Sequence, residues 1–279
     1  MLPIPYRIHK MRRELADVYS RSVPESGTHT LNFAPGQFNM IYAFGSGEVP
    51  ISISGDPAVA PTLVHTIRAV GPVTRAMQGL KKGDTLGIRG PFGTAWPVIE
   101  AGGSDVVIVT GGVGLAPLRP AIYHILAHRE KYGNVRLYYG ARTPADILFL
   151  KEPRNGGRFD MIVEVTVDSA IGYWAGRVGV VTHLVSRGRY DPVDTVALVC
   201  GPEIMMRYTI KALNERGVAN DQIYVSMERN MKCAIGFAVI VVSSSVLRLQ
   251  GRARVPLRSH CPPLRAPGVI TWPLPVNPN

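Results

Sequence analysis

The sequence predicts two architectures in series, an antiparallel β-barrel followed by a parallel α/β domain (β + α/β). The first observation is a β grammar from Tyr6 to about Val98. Short runs at 31–33, 38–43, 62–70 and 85–89 lie between the turn signals Pro35-Gly36, Gly55-Asp56, Lys82-Gly83-Asp84 and Gly90-Pro91. Short strands with regular turns suit a small barrel. The second observation is a change of grammar at Asp105. Buried-strand runs at 106–109, 135–139, 161–167 and 195–200 now alternate with helix-like stretches at 116–132 and 203–216. Such alternation implies a parallel sheet with right-handed crossovers. The later helix carries Met206, Ile210 and Leu213 on one face and stops at Gly217. The join is expected in the Gly-rich stretch 100–104. The expected divisions are therefore 1–99, 100–225 and a remainder, 226–279.

Composition limits the functional classes. A chain of 279 residues with 46% hydrophobic residues can bury the cores of two ordinary domains. The net charge of +11 invites a nucleic-acid reading, but its distribution argues against one. No acid follows Glu228, and the acid-free stretch 238–279 holds five arginines, leaving +6 spread thinly over the body. Three cysteines make no disulfide framework in a chain of this length. The apolar run 234–242 is broken by Gly236 and falls well short of the roughly 20 residues that span a bilayer. The start, Met-Leu-Pro-Ile-Pro-Tyr-Arg, lacks a signal core. The expectation is a cytoplasmic protein with neither nucleic-acid nor membrane partners.

The motifs lie at strand ends. A buried strand ends in Gly111-Gly112-Val113-Gly114-Leu115-Ala116-Pro117 and gives way to a helix. Glycines there let backbone N–H groups approach a pyrophosphate, and the helix N-terminus supplies partial positive charge. Pro117 stands where the last Gly of the Rossmann fingerprint would be, so the loop is not that fingerprint. A late strand closes in Cys200-Gly201-Pro202 before another helix. Two such turns at the carboxyl ends of parallel strands converge on one crevice.

Together with Tyr139-Gly140-Ala141-Arg142, these turns resemble the nicotinamide half of the ferredoxin–NADP reductase superfamily: a Gly-Gly-x-Gly-x-Ala-Pro loop, a Gly-x-Arg, and a Cys-Gly-Pro, in that order. The resemblance implies NAD(P) binding by Gly111, Gly112, Gly114, Leu115, Ala116, Pro117, Arg142, Cys200, Gly201 and Pro202. Cys200 and Gly201 would sit near the nicotinamide ring, although a buried structural thiol is the competing role for Cys200. Arg142 is present in both the NAD and the NADP branches and so does not separate them. In the first half, Pro50-Ile51-Ser52-Ile53 resembles the superfamily's flavin-lining Arg-x-(Tyr/Phe)-Ser strand, with Val49 in place of the arginine. His65-Thr66-Ile67-Arg68 and the turn from Gly71 to Thr74 resemble the next strand and its pyrophosphate turn, and Gly90-Pro91-Phe92-Gly93 the loop after the barrel. The resemblance implies an antiparallel flavin-binding β-barrel that holds FAD with Pro50, Ile51, Ser52, Ile53, His65, Ile67, Gly71 and Thr74. Arg68 is either a substitute phosphate contact or a solvated strand residue.

Longer strings narrow the branch. The stretches 33–38, 140–146 and Ser226-Met227-Glu228-Arg229-Asn230-Met231-Lys232-Cys233 resemble the gamma (diaphorase-type) subunits of cytoplasmic nickel–iron hydrogenases, or sulfhydrogenases. The electron-transfer subunit of dihydroorotate dehydrogenase and the B subunit of anaerobic sulfite reductase are close alternatives. The resemblance covers residues 1 to about 237. It implies hydride transfer between NAD(P)(H) and FAD, then electron transfer to an iron–sulfur relay and to hydrogenase small, large and iron–sulfur subunits. No catalytic acid or base is implied. A non-catalytic assembly subunit is the alternative from a different class.

In that family Cys233 would be the first of four thiolates holding a [2Fe–2S] cluster. Here the pattern stops after Gly236-Phe237. The next four residues, Ala-Val-Ile-Val, can be encoded so that a neighbouring frame reads Cys-Gly-His-Cys. Residues 246–261 can likewise be encoded to yield the family's segment around its fourth cysteine. The two blocks need different frames, so the expectation is a reading-frame error with at least two frame changes, the alternative being a genuine unrelated tail. As written, the chain retains Cys233 alone of the four ligands, with Cys200 in the nicotinamide turn and Cys261 in the aberrant tail. The later prolines oppose a helix or central strand there.

Overall fold

The computed structural model describes residues 2–24, 32–59, 62–149, 161–227 and 245–248. Among the described residues, the first half contains seven strands: β1 (Ile4–Arg7), β2 (Lys10–Arg13), β3 (Val18–Pro24), β4 (Phe38–Ala43), β5 (Gly47–Ser52), β6 (Thr62–Arg68) and β7 (Thr85–Phe92). They form two antiparallel sheets, β1-β7-β4-β5 and β2-β3-β6, linked by the bridge between Ile53 and His65. β4 lies between β5 and β7 and is almost wholly buried, as its run of Phe38, Met40 and Ile41 requires. No strand forms at Asn32 and Phe33, and Leu31 lies outside the described residues.

The helix α1 (Pro72–Gly79) is absent from the sequence reading, which treated the Gly71-x-x-Thr74 stretch as a turn. Proline occupies its first position, where a missing N–H costs nothing. The Thr74 hydroxyl accepts from the Gly71 and Val70 amides at 2.9 and 3.1 Å and closes the start. The buried Arg21 guanidinium closes the end, donating to the carbonyls of Met77, Gln78 and Leu80. A cation there also opposes the negative end of the helix dipole.

The second half follows the strand–helix alternation: β8 (Asp105–Gly111), α2 (Leu115–Ala127), β9 (Val135–Ala141), β10 (Met161–Val167), β11 (Arg177–Val178), α3 (Thr182–Arg187), β12 (Thr195–Cys200), α4 (Glu203–Glu215) and β13 (Ile223–Met227). β11-β10-β9-β8-β12-β13 is one parallel sheet, and the order reverses between β8 and β12. The two-residue period of the strands sorts the core. Val106 and Ile108 face Leu118, Ala121 and Ile125 of α2, while Val107 and Val109 face Leu184 of α3 and Met206 and Ile210 of α4. A further strand, β14 (Ser245–Arg248), pairs antiparallel with β13. The sequence reading did not foresee it; strand addition needs only backbone groups and precedes the first tail proline, Pro256.

The halves share a seam. Val18, Trp96 and Val98 join the core under α2. Trp96 Nε1 donates to the Pro117 carbonyl at 3.1 Å, and the Tyr132 hydroxyl to that of Val98 at 2.7 Å.

Candidate functional site

The switch point between β8 and β12 brings two turns together. β8 leads into a tight 3₁₀ turn, Gly112–Gly114, from which α2 starts. β12 leads through Gly201 and Pro202 into α4. Their strands are in register, with Cys200 opposite Thr110. The turns touch backbone to backbone. A methyl group at Gly114 would lie 2.6 Å from the Cys200 carbonyl oxygen and 2.7 Å from the Gly201 Cα. One at Gly201, whose φ is +156°, would lie 3.0 Å from the Gly111 amide nitrogen. One at Gly111 would lie 2.6 Å from Met205 Sδ. These three glycines therefore permit the convergence itself.

Gly112 differs. Its φ is +55°, in the region that favours glycine, and a methyl there meets nothing within 4 Å. Space above the turn is open at the N-terminus of α2, whose first turn holds no acid. That cradle fits a dinucleotide pyrophosphate. The turn is braced from beneath: the Tyr139 hydroxyl donates to the Gly112 carbonyl at 3.3 Å and accepts from the Leu148 amide at 2.9 Å. Burial pushes this phenol up to about 12, so it keeps the donating proton at neutral pH. Tyr139 stood in the Gly-x-Arg string, but its function there depends on a contact with no local sequence signal.

Of the other expected nicotinamide residues, Leu115, Ala116 and Pro117 form the first turn of α2 and are buried. Arg142 is exposed just beyond β9, and its carbonyl accepts from the Ser169 amide at 3.0 Å. Cys200 is buried within the α2-side core, while its backbone forms the floor under Gly114. Cys233 lies outside the described residues.

The expected flavin residues divide by exposure. Pro50, Ile51 and Ser52 on β5 are half-buried along a strand with no fully covered residue. Ile53, His65 and Ile67 are buried, with their side chains in the core. The Asn39 amide donates to His65 Nε2 at 3.0 Å, and complete burial pulls the imidazole down to about 3. His65 is therefore a neutral core acceptor, and its side chain presents no charge to a ligand. Thr74 spends its hydroxyl on capping α1. The adjacent first-turn amides of α1 have no intrahelical acceptor, and no acid stands in that turn, which fits a pyrophosphate.

Arg68 is partly exposed on β6 and pairs with Asp17 at 2.7 Å, holding that carboxyl below its usual range. Beside Val49, Glu48 is held by an arginine from another strand. Arg89 of β7 forks onto Glu48 of β5 at 2.9 and 2.5 Å and is buried. Sequence reasoning missed it, because the pairing joins residues 41 positions apart.

An antiparallel barrel followed by a parallel sheet with a glycine-built crevice at its switch point defines an oxidoreductase of the ferredoxin–NADP reductase class. The comparisons agree. The oxidoreductase NAD-binding domain family matches residues 108–211. The sulfhydrogenase 2 gamma subunit of Pyrococcus furiosus is 36% identical over 217 residues, 73% of this chain and 75% of that one. A probable dihydroorotate dehydrogenase B electron-transfer subunit of Methanocella arvoryzae is 36% identical over 207 residues, 74% of this chain and 72% of that one. The solved structure of an NADH-dependent reduced ferredoxin–NADP oxidoreductase aligns with a TM-score of 0.66 and 27% identity, covering 81% of this chain and 77% of that one. The chain belongs to the ferredoxin–NADP reductase superfamily, in the family of electron-transfer subunits that includes the sulfhydrogenase gamma subunits. It is an NAD(P)H-dependent flavin oxidoreductase subunit. Among the described residues, no helix is long and apolar enough to cross a membrane.

Proposed function

We propose that the chain moves electrons between NAD(P)(H) and an iron–sulfur relay of a cytoplasmic hydrogenase complex, with small, large and iron–sulfur hydrogenase subunits as partners. The observation that carries this reading is the convergence of the Gly112 cradle and the Cys200–Pro202 turn at one switch point. Residues 1–99 would hold FAD through the β5 surface at Pro50–Ser52 and the turn from Gly71 into α1. Residues 100–225 would hold NAD(P) through Gly111–Pro117, Arg142 and Cys200–Pro202. FAD, when bound, would supply the chemistry that couples two-electron hydride transfer to one-electron transfer. The chain's own residues would orient the two cofactors: the three packed glycines fix the crevice, Tyr139 holds the Gly112 carbonyl, and the buried Trp96 ties the barrel half to α2. No side-chain acid or base is needed for hydride transfer.

The gamma subunits of Pyrococcus furiosus match at 36% and 34% identity, which supports the hydrogenase assignment. The 36% match to a dihydroorotate dehydrogenase electron-transfer subunit supports a second reading with the same chemistry and a different partner. Tagged chain expressed in its native cells tests the pair. Co-purification of hydrogenase subunits, with FAD bleached by NADH or NADPH, is the expected result. Co-purification of a dihydroorotate dehydrogenase would transfer the assignment, and a folded chain that takes up no FAD would end both readings in favour of an assembly subunit.

A further inference from the structure

The halves also meet at a polar contact that the coenzyme crevice does not require. Arg119 lies in the second turn of α2. Its Nη1 donates to the Ser54 carbonyl of the barrel at 2.8 Å, and its Nη2 to the Tyr123 hydroxyl at 2.5 Å. Its guanidinium carbon sits 4.0 Å from the centre of the Phe149 ring. Both ends of this contact are held. Ser54 is wholly buried just beyond β5; its amide donates to the Val64 carbonyl at 2.8 Å, and its hydroxyl bonds that of Thr66 at 2.8 Å. Phe149 is buried with φ +56°, the single non-glycine residue with positive φ among those described. The preceding Leu148 amide donates to the Tyr139 hydroxyl that braces Gly112.

A surface arginine normally keeps its side chain free in water, and confining one costs rotamer freedom. Arg119 instead bridges a carbonyl, a phenol and a ring face. A backbone outlier persists where surrounding contacts hold it, and such outliers cluster at functional sites. We propose that Arg119 is a positioning residue. It keys the nicotinamide half onto the flavin strand and, through Phe149, Leu148 and Tyr139, sets where the Gly112 turn stands relative to that strand. A planar fork that also stacks on a ring is chemistry that lysine does not reproduce. The inference rests on the FAD and NAD(P) reading above. Trp96 and Tyr132 hold the seam independently, so removing Arg119 should shift the halves without separating them.

The test compares wild type with Arg119→Met, Arg119→Lys and Tyr123→Phe, each loaded with FAD. FAD content, thermal midpoint, NADH affinity, the rate of flavin reduction and the long-wavelength nicotinamide–flavin absorption band are read for each. A misplacement of about 1 Å can cost as much as 100-fold in rate. Arg119→Met should keep its FAD and bind NADH within about threefold of wild type, yet lose most of the band and reduce flavin roughly 10–100-fold more slowly. Arg119→Lys should recover little, and Tyr123→Phe, which removes one prong, should show the same changes at smaller size. A lower thermal midpoint with band and rate unchanged would show that Arg119 only stabilises the fold. If Arg119→Met loses its FAD, the other two variants decide by the same two readouts. A wild-type chain that NADH does not reduce would overturn the site reading instead, which separates the two failures.

Discussion

Gly114 rests against the carbonyl oxygen of Cys200, so close that a methyl group there would come within 2.6 Å of it. The pyrophosphate turn and the Cys-Gly-Pro turn are thus one packed unit. Gly114→Ala should displace Cys200 and Gly201 and lower NAD(P)H-dependent flavin reduction by about 100-fold, since backbone cannot yield as a flexible side chain can. Gly114→Asp should abolish it. Gly112→Ala faces open space and strains φ alone, so it should cost roughly 1–2 kcal/mol of stability and retain more activity than Gly114→Ala. Stopped-flow reduction of the three variants checks this ordering, and equal rates for Gly114→Ala and wild type would refute it.

Tyr139→Phe removes one hydroxyl from a buried bridge. The Leu148 amide then loses its acceptor and the Gly112 carbonyl its donor. An unsatisfied buried group costs about 1–3 kcal/mol. Urea unfolding should show a loss of that size, and NAD(P)H should bind more weakly. A variant as stable as wild type would mean that water replaces the bridge.

The buried His65 makes stability depend on pH. Its folded value is depressed from 6.5 to about 3 by burial, so between these values the unfolded chain binds the proton and the folded chain does not. The sign follows: stability from this group is fully present above about pH 6.5 and falls as pH drops toward 3, by at most about 1.4 kcal/mol per pH unit. Unfolding of wild type and His65→Gln at pH 7 and pH 5 tests it. The substitution should shrink the difference between the two pH values, and an unchanged difference would place the dependence elsewhere.

Cys233 alone cannot hold an iron–sulfur cluster, which needs four ligands. The chain as written should purify with FAD and little iron, accept hydride, and pass electrons poorly to one-electron acceptors. A version in which the neighbouring frames are restored after Gly236 should bind iron and sulfide. Stoichiometric cluster in the chain as written would show that the tail is genuine and the frame reading wrong. The DNA across codons 236 to 262 checks the same point.

Much of this architecture was legible because its signals are local. The turn pairs mark strand ends, the apolar runs at 106–109 and 195–200 mark buried parallel strands, and Gly111–Pro117 marks a strand–helix turn, all within a few residues of one another. The family strings carried the chemistry in the same way. α1 was not legible, since Gly71-Pro72-Val73-Thr74 reads as a turn and its end is capped by Arg21, 56 positions from Met77. The expected flavin set was uneven for a related reason. Ile53, His65 and Ile67 share their strings with half-buried neighbours, and the pairing of β3 with β6 and the bridge between Ile53 and His65 sent their side chains inward.

The sequence by itself determined the order of the two halves, the class of coenzyme and the place of the glycine turns, because strand period, turn chemistry and motif are written in consecutive residues. Tertiary structure alone decided which glycine spaces the backbone and which opens the cradle, that Arg68 belongs to Asp17 and Arg89 to Glu48, and that Arg119 reaches across to Ser54. Each of these depends on distances between residues far apart in the chain. Such distances are fixed by how two packed halves settle against each other, and no local pattern of residues encodes them.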